Sequence, residues 1–320
     1  MRRPALVLRV LALAALAAAP CAAFGASKQK GTAGAAFLTL TPGARAAALG
    51  GAFGGVADDA LAAHYNPAGL GFQDGIEAAA GREARFQGLN YDYAVLSVPV
   101  LSWTDKARRT ADWGTTAAAV YSLTASGIER RGLVETDAPT GSFASADRAY
   151  ALSYGLALSE SLSVGGTVKY VDEALDAAHA SAFTGDAGAL WRRGNWSAGG
   201  GVRNAFGSLA LGSTPDPLPM VAYAGAGWRP ARGWLLAAEF DQPRADASAL
   251  AFGAERAVEV SAGLSAAARL GYRTDRADMG ALGGVSLGFG IDWKGMSAEF
   301  SWSPGGTLGD VFQYAIRARF

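Results

Sequence analysis

The stretch Gly284-Val-Ser-Leu-Gly-Phe-Gly-Ile-Asp-Trp293 alternates strictly between large apolar residues and small or polar residues. In an extended chain, successive side chains point to opposite faces. One face of this stretch therefore carries only apolar side chains, and the other carries serine, glycine and aspartate. A period of two predicts a β-strand, because a helix would bring together residues three and four positions apart.

The same alternation recurs along most of the chain, most clearly in Tyr150–Leu158, Leu162–Tyr170, Met296–Trp302 and Phe312–Phe320. From residue 76 onward we count about fourteen such strands of about 9–13 residues between turn signals. The turn signals include Gly194-Asn195, Arg232-Gly233 and Ser303-Pro-Gly-Gly306. Strands of this length cross a membrane at a tilt, whereas soluble strands average about 5–6 residues. The sequence thus predicts an all-β fold, a transmembrane outer-membrane β-barrel of about 14 antiparallel strands formed by residues 76–320.

Alternation alone would also fit a soluble β-sandwich. The strand length and the small, polar second face favour a barrel, with Leu287 and Phe289 toward lipid and Ser286 and Gly288 toward the lumen. Tryptophans near the predicted strand ends are typical of an interfacial aromatic girdle, with ordinary core tryptophans as the alternative. They are Trp191, Trp196, Trp228, Trp234, Trp293 and Trp302.

Residues 1–25 have the three parts of a secretory signal peptide. Two arginines precede the apolar run Ala5–Pro20, and small residues follow it, so we expect cleavage after Ala23 or Gly25. A lipoprotein signal acylated at Cys21 is the alternative, which the preceding proline disfavours. No later stretch approaches 18 consecutive apolar residues, so strands rather than helices are expected to cross the membrane.

Composition excludes several classes of function. The 28 basic side chains equal the 28 acidic ones in number, which gives no electrostatic case for a nucleic-acid partner. Cys21 is the only cysteine, so the mature chain is expected to lack disulfides and thiolate metal sites. The two histidines, His64 and His179, have no Gly-x-Ser-x-Gly motif nearby. We therefore predict neither an enzyme nor a cofactor.

Residues 26–75 lack the alternation and are rich in alanine and glycine, which permit close packing of backbones. We predict that this segment folds inside the barrel as a hatch, with short helices near Pro42–Ala48 and Ala60–His64. Asp58 and Asp59 alone offer too few oxygens for calcium, so no metal is expected. Pairing of one of them with Arg45 is the favoured reading, because a charge inside a plug needs a partner.

Motifs of this segment resemble a known family. The runs Phe37–Phe53, Val56–Ala60 and Tyr65–Leu70 look like the amino-terminal signature of the PorV/PorQ-like outer-membrane proteins, which are related to the FadL-type fatty-acid transporters. The triplet Asn66-Pro-Ala68 is shared with the FadL hatch segment. Further similarity lies in Val202–Phe206, Pro215–Pro219, Arg269–Tyr272 and the final strand, so the resemblance spans nearly the whole mature chain.

The resemblance implies a FadL-like barrel of fourteen strands with an internal hatch, which transports or binds a hydrophobic, fatty-acid-like molecule. PorV-type members instead act as protein-binding components of a secretion system, and a structural or protein-interaction role is the alternative function. The expected partners are outer-membrane lipid, a hydrophobic ligand, the barrel assembly machinery and, for the alternative, secretion-system proteins. The chain is shorter than a typical FadL protein, which suggests shorter extracellular loops.

The apolar residues of the segment would give the interior a surface suited to an acyl chain. The candidate ligand-binding and hatch residues are Phe37, Leu38, Leu40, Arg45, Leu49, Phe53, Asp58, Asp59, Asn66 and Pro67. Inward-facing charges would either select a permeant or form a salt-bridge network in the lumen; they are Lys169, Asp292, Glu299, Arg317 and Arg319. Phe320 is the terminal aromatic residue that such barrels commonly carry, and it is the candidate assembly signal.

Overall fold

The computed structural model describes residues 31–100, 113–132, 137–280 and 282–320. The predicted signal peptide and its alternative at Cys21 lie outside these residues. Within the described ranges, no helix is both long enough and apolar enough to cross a membrane.

Fourteen strands form a closed barrel in which every neighbouring pair is antiparallel, and the last strand pairs with the first. The barrel strands are β1 (Glu77–Ala84), β2 (Asn90–Pro99), β3 (Thr115–Arg130), β4 (Gly141–Ser159), β5 (Leu162–Leu175), β6 (Ala178–Arg193), β7 (Trp196–Arg203), β10 (Val221–Trp228), β11 (Trp234–Pro243), β12 (Ala249–Ser261), β13 (Leu264–Arg273), β14 (Val285–Trp293), β15 (Met296–Pro304) and β16 (Asp310–Arg319). Two short strands, β8 (Ser208–Leu209) and β9 (Asp216–Pro217), form a separate sheet in the β7–β10 connection. The predicted all-β antiparallel barrel and its number of strands are confirmed.

The two faces of the barrel wall follow the alternation of the sequence. Leu287 is 44% exposed and Phe289 is 55% exposed, whereas Ser286 between them is 3% exposed. The predicted phase of this strand is therefore correct. Lys169 points inward on β5 and is buried, while its apolar neighbours Val168 and Tyr170 lie on the outer surface.

The two ends of the barrel differ in how strands are joined. At one end, two-residue turns join β4 to β5, β6 to β7, β12 to β13 and β14 to β15, and the chain ends there after β16. We call this the turn end; the 229–233 connection, the end of β2 and the start of β3 also lie there. The opposite end carries the 85–89, 204–220, 244–248 and 305–309 connections together with a two-residue turn between β5 and β6, and we call it the loop end.

Four consecutive strands are longer than predicted. Strands β3, β4, β5 and β6 have 16, 19, 14 and 16 residues. Strand β6 pairs with β5 from Ala178 to Trp191, but with β7 only from Ala187 to Arg193. The β3–β6 sheet therefore continues past its neighbour at the loop end. The sequence analysis underestimated the length of these strands, because polar residues replace the apolar ones in their loop-end parts while strand pairing continues.

The segment before β1 consists of single turns of helix. The α-helices are Ala44–Ala48 and Ala62–Tyr65, and the 3₁₀ helices are Ala36–Thr39 and Pro67–Phe72. Both predicted short helices are present with shifted bounds. Asn66 ends one helix and caps the next by accepting a hydrogen bond from the Ala68 amide, and Pro67 occupies the first position of that next helix. Three further 3₁₀ turns lie in barrel connections, at Phe86–Gly88, Thr274–Met279 and Gly306–Leu308.

This segment, Gly31–Gln73, contacts inward-facing residues around the barrel wall. Ser163 on β5 donates a hydrogen bond to the Ala68 carbonyl at 2.6 Å, and Ser286 on β14 donates one to the Ala48 carbonyl at 3.2 Å. One continuous hydrophobic cluster joins the apolar residues of the segment to inward residues of the strands. The core of the molecule is thus the packed boundary between the segment and the barrel wall.

Candidate functional site

Asn66 attaches the centre of the segment to the wall. Its amide nitrogen donates to the Gly54 carbonyl at 2.8 Å and to the Ala189 carbonyl of β6 at 3.1 Å. Its side-chain oxygen accepts from the Ala68 amide at 3.2 Å. Asn66 is fully buried, so these bonds satisfy a group that would otherwise be costly to bury.

Glycines on the wall and in the segment allow their backbones to touch. A Cβ atom on Gly55 would lie 2.3 Å from the carbonyl carbon of Gly225 on β10. A Cβ atom on Gly165 of β5 would lie 2.3 Å from the carbonyl carbon of Pro67. Neither position has room for a side chain, which explains why the small residues of the segment face glycines on the wall.

Arg45 is the centre of an ion-pair cluster between the segment and the wall. Its guanidinium lies 2.6 Å from an Asp58 oxygen, 3.3 Å from Asp59 and 2.9 Å from Glu255 of β12. The side chain of Arg45 is 10% exposed. The expected pairing of Arg45 with one of the two aspartates is present; Arg45 contacts both, and Glu255 adds a partner that the sequence analysis did not identify.

The cluster continues across the closure of the barrel. Glu255 pairs with Arg269 of β13 at 2.6 Å. Arg317 of β16 pairs with Glu77 of β1 at 3.3 Å and approaches Asp59 at 4.0 Å. Three of the inward charges that the sequence predicted, Glu299, Arg317 and Arg319, thus join one salt-bridge network, which was the alternative to a selectivity role.

The two aspartates of the cluster have opposite electrostatic environments. Burial opposes ionisation of Asp58, but the adjacent Arg45 guanidinium outweighs it and lowers the pKa of Asp58 below its ordinary value. Burial raises the pKa of Asp59 to about 6, against the opposing effects of Arg317 and Arg45. Asp58 is therefore the more firmly ionised partner of Arg45.

The turn end of the lumen is polar. Two cavities of about 410 Å³ and 330 Å³ flank the cluster, and both are lined by Arg45, Asp58 and Glu255. An apolar molecule would gain little by entering either cavity, because it would desolvate charged groups. Within the described ranges, no three His, Cys, Asp or Glu side chains lie together in a way that could hold a metal ion.

A second set of buried charges holds the middle of the segment. The amides of Phe53 and Gly54 donate to Glu239 of β11 at 2.9 and 2.6 Å, and Arg203 of β7 pairs with the same carboxylate. Lys169 pairs with Asp186 at 2.7 Å. Each of these buried charges has an oppositely charged partner, which offsets the cost of removing the charge from water.

A cavity of about 420 Å³ lies at the loop end, between the segment and the mouth of the barrel. Its apolar lining includes Leu38, Leu40, Pro219, Met220, Val221 and Val311. Its charged lining includes Glu83, Arg85, Arg203, Asp241, Arg273 and Arg276. The cavity therefore offers apolar surface and charged groups within one partly enclosed space.

Arg276 differs from the other cations of this cavity. Arg273 pairs with Asp241 at 2.9 Å and with Asp275 at 2.9 Å, and Arg85 pairs with Glu83. Arg276 forms no ion pair with any side chain in the part of the chain that the structure describes. Burial, and then repulsion from Arg273, lower the pKa of Arg276 below its ordinary value. A negatively charged group in the cavity would offset both the cost of burying the Arg276 charge and its repulsion from Arg273.

The candidate residues divide between this cavity and the packed core. Leu38 and Leu40 line the loop-end cavity, but Phe37, Leu49 and Phe53 do not, because they are buried against the wall. Arg45, Asp58 and Asp59 lie in the ion-pair cluster, and Asn66 and Pro67 lie at the central attachment. Sequence reasoning missed Glu239, Glu255 and Arg276. The first two sit at inward positions of strands, and the alternation alone could have identified them as lumen charges.

No protein-family model matches the chain, and no curated protein matches it. Several solved barrels share its fold. The toluene transporter TbuX of Ralstonia pickettii has a TM-score of 0.54 at 13% identity, covering 87% of this chain and 98% of that one. The toluene transporter TodX of Pseudomonas putida has a TM-score of 0.54 at 14% identity, covering 87% and 96%. The monoaromatic hydrocarbon channel CymD has a TM-score of 0.55 at 13% identity, covering 87% and 97%. At these identities the likeness establishes a common barrel fold.

Proposed function

We propose that this protein is an outer-membrane channel for small hydrophobic molecules, with Gly31–Gln73 as the hatch that closes its lumen. The observation that carries the proposal is the loop-end cavity of about 420 Å³, which is partly enclosed and partly apolar and has the hatch as its floor. Ligand cavities commonly have volumes of about 300–1,000 Å³, and an apolar cavity of about 150 Å³ already accepts benzene. A monoaromatic molecule or a short acyl chain fits this space.

Three further observations support the proposal. The barrels that share the fold are named as transporters of toluene and a channel for monoaromatic hydrocarbons. Short turns lie at the periplasmic side of outer-membrane barrels, so the turn end would face the periplasm and the cavity would face outward. The chain would reach the outer membrane through the predicted signal peptide, with Phe320 as its assembly signal. We propose no catalytic role.

Two ligand classes fit different parts of the cavity. A hydrocarbon would use only the apolar lining around Leu38 and Leu40, and each buried methylene would contribute about 0.8 kcal/mol. A fatty-acid-like molecule would use the same lining and place its carboxylate beside Arg276, a cation of this cavity that has no carboxylate partner in the described ranges. The resemblance in the hatch motifs supports the second class, and the names of the related barrels support the first.

Binding to purified protein tests the proposal and separates the two classes. We expect saturable binding of a labelled fatty acid or of toluene, competed by the unlabelled compound. Arg276→Gln should weaken fatty-acid binding about tenfold and leave toluene binding unchanged, since it removes a charge but no apolar lining. Arg244→Gln is the matched control, because Arg244 is an exposed cation of the same end that does not line the cavity. Lack of saturable binding of either compound would contradict the proposal.

One observation favours the alternative, a barrel that binds exported proteins. The β3–β6 sheet rises past its neighbour at the loop end and presents backbone and polar side chains outside the wall. A stoichiometric protein partner, lost when the tips of these hairpins are shortened, would favour this function over transport.

A further inference from the structure

The outer surface at the turn end carries a row of basic and aromatic side chains. Arg193 of β6 lies opposite Trp196 of β7, and Trp196 lies opposite Trp228 of β10. The two indole rings stack with centroids 5.2 Å apart and an angle of 12° between their planes. All three residues occupy outward positions, because their neighbours Ser197 and Gly227 point inward and are buried. Exposed tryptophans at strand ends mark the level of the lipid headgroups.

The row continues on the next two strands. Trp234 of β11 lies opposite Arg256 of β12, and the Arg256 guanidinium lies 5.3 Å from the indole centroid. Arg256 also donates hydrogen bonds to the carbonyls of Arg232 and Ala257, at 2.7 and 3.2 Å. In the described ranges, neither Arg193 nor Arg256 has a carboxylate partner. We call Arg193, Trp196, Trp228, Trp234 and Arg256 the basic row.

Two cations of the outer surface at the loop end are neutralised by acidic side chains. Arg82 pairs with Asp92 at 2.6 Å, and Arg130 pairs with Asp176 at 2.5 Å. At the turn end, the exposed Arg232 pairs with Glu259 at 3.0 Å. The lack of an acidic partner is therefore a property of the arginines of the basic row and not of every cation at this end. The basic row thus combines aromatic rings at the level of the membrane interface with two guanidinium groups. Neither guanidinium forms an ion pair with an acidic side chain in the described ranges.

We propose that the basic row binds the phosphate groups of anionic phospholipids in the leaflet at the turn end. The argument is charge complementarity at headgroup depth: a guanidinium can bind phosphate through two parallel hydrogen bonds, and the tryptophans hold this part of the wall at the interface. The inference rests on the proposed membrane location, but not on the proposed ligand.

Selective lipid binding tests the inference. Purified protein in mixed detergent micelles is titrated with phosphatidylglycerol or phosphatidylcholine, and bound lipid is counted by native mass spectrometry. The wild type should prefer phosphatidylglycerol, and Arg193→Gln with Arg256→Gln should lower that preference at least about fivefold, the effect of one surface arginine on an anionic membrane. Arg82→Gln at the loop end is the matched control and should leave the preference unchanged. An unchanged preference in the double variant, or an equal loss in the control, would overturn the inference.

A second measurement does not depend on folding of the variants. In the wild-type protein, the preference for phosphatidylglycerol should fall as salt is raised, because exposed charges are screened. A preference independent of salt would also overturn the inference. Hydrocarbon or fatty-acid binding is measured on the same samples, so failure of the lipid site is distinguishable from failure of the proposed channel function.

Discussion

Replacing Arg45 with alanine is predicted to release the hatch. The guanidinium lies 2.6 Å from Asp58, 2.9 Å from Glu255 and 3.3 Å from Asp59, and its removal leaves three largely buried carboxylates without this partner. Breaking a buried ion pair by removing one partner costs about 3–5 kcal/mol. We expect the lower end of that range, because Asp58 retains Arg229 at 2.8 Å and Glu255 retains Arg269 at 2.6 Å.

Hydrogen exchange of the backbone amides in residues 44–65 measures this loss directly. A loss of about 3 kcal/mol should speed exchange about a hundredfold if the hatch opens as a unit. Conductance across a planar bilayer should rise in the same variant. Arg232→Ala is the control, since Arg232 is 93% exposed and pairs with Glu259 at the surface, where an ion pair contributes about 0–1 kcal/mol. Exchange and conductance unchanged from wild type in Arg45→Ala would refute the role assigned to this cluster.

Three other changes test the orientation of the barrel wall, the packing of the hatch against that wall and the assembly of the closed barrel. If the outer surface faces lipid as proposed, Phe289→Arg should cost about 2–4 kcal/mol in urea unfolding, and a cost below about 1 kcal/mol would contradict that orientation. Gly55→Ala should expose the hatch to protease, because a Cβ atom there would lie 2.3 Å from the Gly225 backbone. Gly141→Ala, where a Cβ atom would meet no atom within 4 Å, should not have this effect. Deleting Phe320, whose amide donates to the Ile76 carbonyl at 2.9 Å, should reduce assembly, and normal yield of heat-modifiable barrel would count against an assembly signal.

Features encoded by neighbouring residues could be predicted from the sequence. Alternation of Ser286 with Leu287 and Phe289 specifies which face of the wall points outward, because side-chain direction in a strand depends only on position. Asn66-Pro67 specifies a helix boundary, because proline cannot continue a helix that asparagine has ended. The pairing of Arg45 with Asp58 was also accessible, since both lie within one short segment.

Features that depend on pairing across the barrel could not be predicted. Glu255 reaches Arg45 across 210 positions of sequence, and only the closed barrel brings them together. The loop-end cavity draws Leu40 from the hatch, Met220 from one connection and Arg276 from another. Phe37, Leu49 and Phe53 have the composition of a ligand-binding surface, but the small residues around them allow tight packing against the wall, which leaves them in the core.

A reversible lock on the hatch tests the central claim most directly. A Cβ atom on Gly34 would lie 3.5 Å from the Asp216 Cβ atom, within the range for a disulfide, so Gly34→Cys with Asp216→Cys should tie the hatch to β9. Uptake of labelled toluene and fatty acid is measured in a bacterial host lacking its own channels for such compounds. We predict uptake above the empty-vector level with the wild type and with the reduced double variant, and uptake at the empty-vector level after oxidation. Equal uptake by the oxidised and reduced forms, or no uptake by correctly folded wild type, would contradict a hatch-gated channel for hydrophobic molecules.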